Sequence, residues 1–279
     1  DNMYYLNGKS ENRDDFVISL SSVALKNGFS LYETLFILKG KPVFIREHLD
    51  RLKHSMEYFS LSAEPGFFEN IRKDVKKLIS ETDLLSGRIR IMIFPSKNIT
   101  LPADTVLLPE KLLSEEALIS LKLSKVRKPF PPQFPSFVKI SSNHCSLLSF
   151  KEAYESGFDE GLMLDSEGRV TETSYGNLFW IKNNEIFTPS ADLSILNGVT
   201  RMKIIEICRI SGLKLCEGFF SLSEILNSDS AYVSSSSRGM MRISRIDDTI
   251  FNEHSSEAVR LIRKKYDEAV ENSLNEYEP

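Results

Sequence analysis

The sequence predicts a mixed α/β (α+β) protein with two domains, and three observations support this prediction. The chain has 279 residues, 41% hydrophobic and 27% charged, an ordinary composition for one large globular domain or two modest ones. Its first third alternates strand-like runs with two amphipathic helices. The proline-rich run Pro129–Pro135 favours an extended connector. We therefore predict a small N-terminal domain over residues 1–115, a connector over 116–135 and a larger C-terminal domain over 136–279.

The N-terminal third is typical of a sheet with helices packed on one side. Apolar residues at three- and four-residue steps, such as Leu49, Leu52 and Met56, predict amphipathic helices. A glycine-containing turn at residues 39–42 predicts a hairpin. The predicted strands are Met3–Leu6, Leu31–Leu38, Val43–Ile45, Gly87–Phe94 and Thr105–Leu108, and the predicted helices are Arg46–Phe59 and Pro65–Ser80.

The C-terminal half combines hairpins with helices. Asn183-Asn184 and the turn around Gly168 each separate two β-prone runs, which predicts two hairpins. Three helices are predicted: one that follows Lys139 and ends at Gly157, one over Arg201–Ile210 and one over Ser256–Leu274. The predicted hairpins cover Glu160–Thr173 and Asn177–Thr188.

Charge, cysteine usage and hydropathy exclude several classes of function. The formal net charge of −4 and the pI near 5.7 argue against nucleic-acid binding. Three cysteines without a CxxC spacing indicate neither a disulfide framework nor a metal site, and they suit a reducing compartment. No run approaches the roughly 18 apolar residues of a membrane span. We therefore expect a cytoplasmic protein that binds small molecules, with no nucleic-acid, membrane or metal partner.

Two residues in the second half suggest a specific chemistry. Lys139 lies in the apolar, β-prone run FVKI, so we expect its stem to be buried. Burial favours the neutral amine, which is a nucleophile that condenses with aldehydes. Glu172 lies in a second β-like run, between two threonines. A buried glutamate needs a partner, since an unpaired one is costly.

Four motifs resemble the class IV (fold-type IV) pyridoxal-phosphate enzymes. They are REHLDRL at Arg46–Leu52, VKxxxN around Lys139, DEGLMLDSEGRVTETSYGNLFW at Asp159–Trp180 and ILNGVTR at Ile195–Arg201. The family includes branched-chain and D-amino-acid aminotransferases and 4-amino-4-deoxychorismate lyase. The resemblance implies a small N-terminal α/β sandwich, a larger β-barrel-like α/β domain, a homodimer and the cofactor pyridoxal 5'-phosphate.

The resemblance also assigns residues to the cofactor ring. It implies that Lys139 carries the aldehyde as a Schiff base and that Glu172 accepts the pyridine N–H, which keeps the ring an electron sink. Asn177 is implied to satisfy backbone groups beside the site. His144 stands where branched-chain relatives have a tyrosine near the phenolic oxygen; it could bond that oxygen or merely cap or pack.

A second group of residues is expected to bind the cofactor phosphate. The glycine turn before Val199 and Thr200 starts a helix, whose free N–H groups suit an anion. By resemblance Arg51 reaches the phosphate, although a helix arginine could instead pair with Glu47 or Asp50. The strand and loop Ala231–Ser237 fit a further donor loop, and Ser235 and Ser236 are its candidates.

Three more residues are candidates for substrate contacts. Tyr32 and Thr34 are two residues apart on one strand and so share a face, with Glu33 on the other. Tyr32 could equally pack in the core. Arg238 could bind a substrate carboxylate or face solvent.

These residues lead to one main functional hypothesis and two alternatives. The main hypothesis is an aminotransferase that moves an amino group from a branched-chain-like amino acid to a 2-oxo acid, with Lys139 shuttling the α-proton. The first alternative, favoured by Thr34 and by NLFW at Asn177–Trp180, is a 4-amino-4-deoxychorismate lyase that releases pyruvate and 4-aminobenzoate. The second is a binding protein that keeps the fold without catalysis.

Overall fold

A computed structural model of the chain describes residues 3–12, 19–95, 104–111, 118–251 and 256–277. The chain forms two compact units. The first unit comprises Asp1–Ser114, Phe137–Ser142 and Val270–Pro279, and the second comprises Glu115–Ser136 and Asn143–Ala269.

The first unit is an antiparallel sheet covered by helices. Among the described residues its strands lie in the order β2-β1-β6-β5-β3-β4. The strands are β1 (Met3–Leu6), β2 (Lys9–Asn12), β3 (Leu31–Leu38), β4 (Lys41–Pro42), β5 (Ser86–Phe94) and β6 (Asp104–Glu110); the helices are α1 (Val23–Asn27), α2 (Ile45–Tyr58) and α3 (Phe67–Thr82). Alternate residues of β3 and β5 pack in one core with the apolar faces of α2 and α3, as the period-two and helical patterns predict.

The second unit contains a closed, barrel-like sheet. Its strands are β7 (Leu118–Lys128), β8 (Glu160–Asp165), β9 (Val170–Thr173), β10 (Asn177–Lys182), β11 (Glu185–Pro189), β12 (Leu215–Gly218), β13 (Ser230–Ser235), β14 (Gly239–Ile246) and β15 (Thr249–Ile250). Its helices are α4 (His144–Glu155), α5 (Val199–Ile210), α6 (Leu222–Leu226) and α7 (Glu257–Glu276), the last of which ends in residues assigned to the first unit.

The barrel closes between β9 and β10. Strands β10-β13-β14-β7-β8-β9 follow one another in the sheet, and β9 pairs back to β10 through Glu172 and Asn177. The ring therefore closes at two residues that sequence analysis singled out for the cofactor site. Alternate residues of these strands, such as Leu178 and Trp180 on β10, form the barrel core.

Two expectations about chain organisation differ from the structure. The predicted connector over 116–135 contains β7, an eleven-residue strand that pairs with both β8 and β14. Val43–Ile45 is not a strand, because Phe44 adopts a left-handed backbone (φ 51°) that ends the hairpin and starts α2 at Ile45. The prolines after β7 thus follow a sheet strand instead of a boundary segment.

Gly161 in β8 lies against α4, which gives a prediction for stability. A Cβ at residue 161 would lie 2.1 Å from the Oγ of Ser149 and 2.5 Å from its carbonyl oxygen. We expect Gly161→Ala to lower the free energy of unfolding by about 2 kcal/mol, measured by urea unfolding with the fluorescence of Trp180, the one tryptophan of the chain. Because the carbonyl contact persists, adding Ser149→Ala should restore only part of the loss, and full recovery would contradict this explanation.

Among the described residues, no helix is both long enough and apolar enough to cross a membrane.

Candidate active site

The segment that carries Lys139 is fixed by the first unit. The carbonyl oxygen of Lys139 accepts from the backbone N–H of Tyr32 at 3.1 Å, and the N–H of Ser141 donates to the carbonyl of Ser30 at 2.9 Å. An isolated bridge joins Ile140 to Leu31. Lys139 is therefore placed beside the start of β3, which explains why residues 137–142 belong to the first unit and not to the predicted C-terminal domain.

The side chain of Lys139 lies over an aromatic ring. Its Nζ is 4.3 Å from the centroid of the Tyr32 ring. Lys139 is half-buried and lies outside a regular strand. Its segment makes too few ladder bonds to form a strand. No ion pair to Lys139 occurs within the part of the chain that the structure describes.

Arg51 lies in a buried charged cluster with Glu33 and His48. Its Nε and Nη2 donate to the two carboxylate oxygens of Glu33, both at 2.7 Å, a bidentate geometry. The Nδ1 of His48 lies 2.7 Å from Oε2 of Glu33. Arg51 thus has a partner on the sheet beneath α2, a residue other than the helix neighbours Glu47 and Asp50 that the sequence suggested as alternatives.

Burial and charge act in opposite directions on this cluster. Burial raises the pKa of Glu33, but the charge of Arg51 and the hydrogen bonds from His48 and Arg51 outweigh it and lower the pKa from 4.5 to about 2. Burial also lowers the pKa of His48, and the charges of Arg51 and Lys139 add to that effect against the pull of Glu33. Glu33 therefore stays ionised and His48 neutral at pH 7.

The other face of β3 carries both predicted substrate residues. Tyr32 and Thr34 alternate with the fully buried Glu33, as predicted. Across the ladder Thr34 pairs with Arg90 of β5, whose guanidinium carbon is 5.5 Å from the centroid of the Tyr32 ring. The Nε of Arg90 is buried, and no described residue accepts a hydrogen bond from it. Sequence analysis missed Arg90, although its alternation with Ile89 and Ile91 could have placed it on this face.

Glu172 is surrounded by hydrogen-bond donors in the second unit. Its Oε2 accepts from the backbone N–H of Leu196 at 2.8 Å and from Nδ2 of Asn177 at 3.3 Å, and its Oε1 is in contact with Nζ of Lys128. Asn177 also donates to the carbonyl of Leu196 at 2.7 Å. Asn177 thus links β10 to the loop before α5.

Lys128 is the residue of this cluster that sequence analysis missed. It is the last residue of β7 and is buried, with 11% of its side chain exposed. A signal was present, because the run LISLKLSKVRK is β-prone and ends in a lysine just before the prolines. The chain therefore holds two lysines near predicted site residues. One is paired with a carboxylate, and the other lies on an aromatic ring.

The predicted phosphate residues lie at the start of α5 and the end of β13. Helix α5 begins at Val199 after an extended Gly198, without a side-chain cap, and Val199 and Thr200 are buried. Thr200 Oγ1 is 3.3 Å from the hydroxyl of Tyr266. On β13 the Oγ atoms of Ser234 and Ser235 are buried and lack partners among the described residues, and Ser236 follows them in the turn. Ser234, which pairs with Asn177 across the sheet, was not predicted.

His144 lies on α4, and Arg238 lies in the turn after β13 that also contains Ser236. His144 is exposed at the first position of α4, and the helix cap is the neighbouring Asn143. Arg238 is paired within the protein, because its Nη2 contacts Oε1 of the buried Glu160. Glu160 also accepts from Thr173 Oγ1 at 2.6 Å. Arg238 is thus already paired with a carboxylate of its own unit.

Comparisons with known proteins agree with this arrangement of motifs. The sequence model of the family described as "Amino-transferase class IV" matches residues 30–246. The chain is 28% identical to the aminodeoxychorismate lyase of Bacillus subtilis (strain 168), over 98% of this chain and 97% of that protein. It is 33% identical to a probable branched-chain-amino-acid aminotransferase of Rickettsia felis, over 78% of each.

A solved structure has the same fold. The T.th. branched-chain amino acid aminotransferase, complexed with N-(5'-phosphopyridoxyl)-L-glutamate, superposes with a TM-score of 0.84 at 22% identity. The superposition covers 97% of this chain and 94% of that one. The two-domain fold-type IV architecture with a barrel-like sheet is therefore confirmed.

Proposed function

The chain belongs to the class IV aminotransferase family, and from this we propose that it is a pyridoxal-phosphate enzyme that moves an amino group from a branched-chain-like amino acid to a 2-oxo acid through Lys139. The cofactor would supply an aldehyde that condenses with amines and a ring that takes up electrons. The chain's own residues would bind it, orient it and move the proton.

The environment of Glu172 fits a protonated pyridine nitrogen. A carboxylate offers about four lone-pair positions, and the donors from Lys128, Asn177 and Leu196 occupy three of them. One position remains for a ring N–H. The carboxylate is already held in a fixed orientation, so accepting that bond requires little reordering.

The start of α5 and the end of β13 fit a phosphate. An uncapped helix start presents backbone N–H groups and a partial positive charge. The buried hydroxyls of Ser234 and Ser235, unpartnered among the described residues, would otherwise carry a desolvation cost of about 1–3 kcal/mol each. Val199, Thr200 and the serines of β13 would thus donate to phosphate oxygens. Arg51, which the family resemblance also assigns to the phosphate, is paired with Glu33 in the first unit.

Three residues of the first unit would act on the substrate. Lys139 would carry the proton that leaves the substrate α-carbon, the role of a positioned general acid and base. The ring of Tyr32, over which the Nζ of Lys139 lies, would position that amine. Arg90, whose buried Nε has no partner among the described residues, is a better candidate for a substrate carboxylate than Arg238, which already contacts the buried Glu160.

The difference between Lys139 and Lys128 is the observation that carries the proposal. The Nζ of Lys128 is in contact with the buried carboxylate of Glu172, so it is already engaged in an ion pair. Lys139 has no ion pair among the described residues. The amine of Lys139 is therefore the one available to the cofactor aldehyde.

Borohydride reduction followed by peptide mapping tests this assignment. Reduction fixes the cofactor to the amine that holds it, so the pyridoxyl mass should appear on the peptide containing Lys139. It should be absent in Lys139→Ala and present in the control Lys125→Ala, which changes an exposed lysine of β7. Label on Lys128, or no label with excess cofactor, would refute the proposal. Formation of a 2-oxo acid from leucine and 2-oxoglutarate would then establish the reaction.

A second candidate function is the lyase reaction on 4-amino-4-deoxychorismate. It is supported by the similarity to the Bacillus subtilis lyase over 98% of this chain and by Thr34 on the same face as Tyr32. Release of pyruvate from aminodeoxychorismate, without an added 2-oxo acid, would favour this reaction. Amino-acid-dependent turnover of 2-oxoglutarate without pyruvate would favour the transaminase.

We further infer a homodimer that works in the cytoplasm. The resemblance to the family supports the dimer, and three free cysteines suit a reducing compartment. Light scattering on the purified protein would test the dimer, and a mass of one chain would exclude it.

A further inference from the structure

Strand β7 reaches Glu172 through an irregularity in its ladder. Leu123 pairs with Leu162 of β8, but the next pair is Arg127 with Leu164, so β7 uses two extra residues there. Glu152 of α4 holds this bulge by accepting from Oγ of Ser124 at 2.6 Å and from the N–H of Lys125 at 2.9 Å. The bulge sets where the last residue of the strand, Lys128, directs its ammonium.

Two buried carboxylates, those of Asp165 and Glu172, lie near Lys128 in the sheet, and its ammonium contacts Glu172. The neighbour of Lys128 across the ladder is the buried Asp165. Asp165 is paired with Arg169, whose Nε donates to it at 2.7 Å, and it also accepts from the N–H groups of Glu167 and Arg169 at 2.9 Å each. The ammonium of Lys128 is in contact with Glu172.

The pair fixes the orientation of Glu172. A buried carboxylate needs partners for its oxygens, and Lys128 supplies an ammonium in direct contact. Among the described residues Arg201 also acts on Glu172, but its guanidinium bonds Glu217 and the carbonyl of Pro189. Lys128 is thus the cation in direct contact with Glu172, and the neutral donors Asn177 and Leu196 help to orient the carboxylate.

We propose that Lys128 is a positioning residue for the cofactor ring: its contact with Oε1 holds the Glu172 carboxylate turned so that the remaining lone pair accepts the ring N–H. This inference rests on the proposed function. In this role Lys128 does not touch the substrate or react with the aldehyde. It acts only through Glu172, so its influence is confined to ligands that have a ring nitrogen.

The experiment compares two ligands that differ in one atom. The full-length apoprotein is titrated with pyridoxal 5'-phosphate and with its 1-deaza analogue, in which a carbon replaces the ring nitrogen, and binding is followed by quenching of Trp180. The parent should prefer pyridoxal 5'-phosphate. In Lys128→Met this preference should fall about tenfold, because Glu172 loses the ion pair that orients it for a charge-assisted hydrogen bond to the ring N–H, while affinity for the deaza analogue stays unchanged. Lys128→Arg should restore the preference.

The controls separate positioning from general structure. Lys125→Met, on the same strand but exposed, should keep the parent preference. Lys128→Gln, which keeps a donor but no charge, replaces the methionine variant if that one does not fold. Equal weakening of both ligands in the Lys128 variants, or a parent without preference, overturns the inference while cofactor binding and the proposed function stand. A parent that binds neither ligand overturns both.

Discussion

Replacing Lys139 with alanine should lower the turnover number for amino-group transfer by about 1,000-fold or more. Removal of a positioned acid–base group alone costs about 10²- to 10⁴-fold, and Lys139 is also the proposed nucleophile. The measurement is the steady-state rate of 2-oxo acid formation by the cofactor-loaded variant and parent. Because the first unit fixes this segment through backbone bonds at Tyr32, Ser30 and Ile140, the variant should fold normally.

Rescue by a small amine distinguishes chemistry from structure. The truncated side chain leaves space over the Tyr32 ring, so added ethylamine should restore part of the rate in Lys139→Ala. The same amine should leave the parent unchanged. A variant that keeps a tenth of the parent rate without added amine would show that another group moves the proton.

The second large effect concerns the buried cluster of Glu33, Arg51 and His48. Glu33→Gln leaves the Arg51 guanidinium, 5% exposed, without its bidentate carboxylate. Loss of one partner of a buried ion pair costs about 3–5 kcal/mol. We expect this decrease in the free energy of unfolding at pH 7, measured by urea unfolding followed by far-UV circular dichroism. The exposed Glu57 of α2 provides the control substitution Glu57→Gln, which should change little.

The pH dependence of this effect has a definite sign. The pKa of Glu33 is lowered from 4.5 to about 2 in the folded protein, so its ionisation stabilises the fold above pH 4.5. That contribution, about 3 kcal/mol, is lost as the pH falls from 4.5 toward 2. The stability difference between the parent and Glu33→Gln should therefore be largest at neutral pH and shrink below pH 4.5. A difference that stays constant between pH 7 and pH 3 would rule out this cause.

Local patterns carried most of the correct predictions. Period-two alternation placed Tyr32 and Thr34 opposite Glu33, and helical periodicity found α2 and α5. The turn signals at residues 166–168 and 183–184 correctly marked the hairpins β8–β9 and β10–β11, which contain Glu172 and Asn177. These features depend on residues that lie close together in the chain, so the sequence alone specifies them.

The missed features depend on partners far apart in the chain. Sequence neighbours suggested Glu47 or Asp50 for Arg51, but the sheet beneath α2 brings Glu33 to it. Lys128 was not predicted as a site residue, because the proline-rich run that follows it indicated a connector. In the structure β7 is hydrogen-bonded to a strand on each side. Arg238 could not be assigned, since Glu160 lies 78 residues away. Such pairings follow from strand order, which periodicity does not reveal.

The closure of the barrel has a consequence for how ligand and fold depend on each other. Strands β9 and β10 meet through one ladder pair beside a tight turn in which Thr173 and Gly176 bond each other. That junction has the fewest ladder pairs of the ring, and Glu172 and Asn177 form it. A ligand bound by Glu172 would therefore stabilise the barrel at its weakest strand pairing, so ligand binding should raise the free energy of unfolding of the second unit.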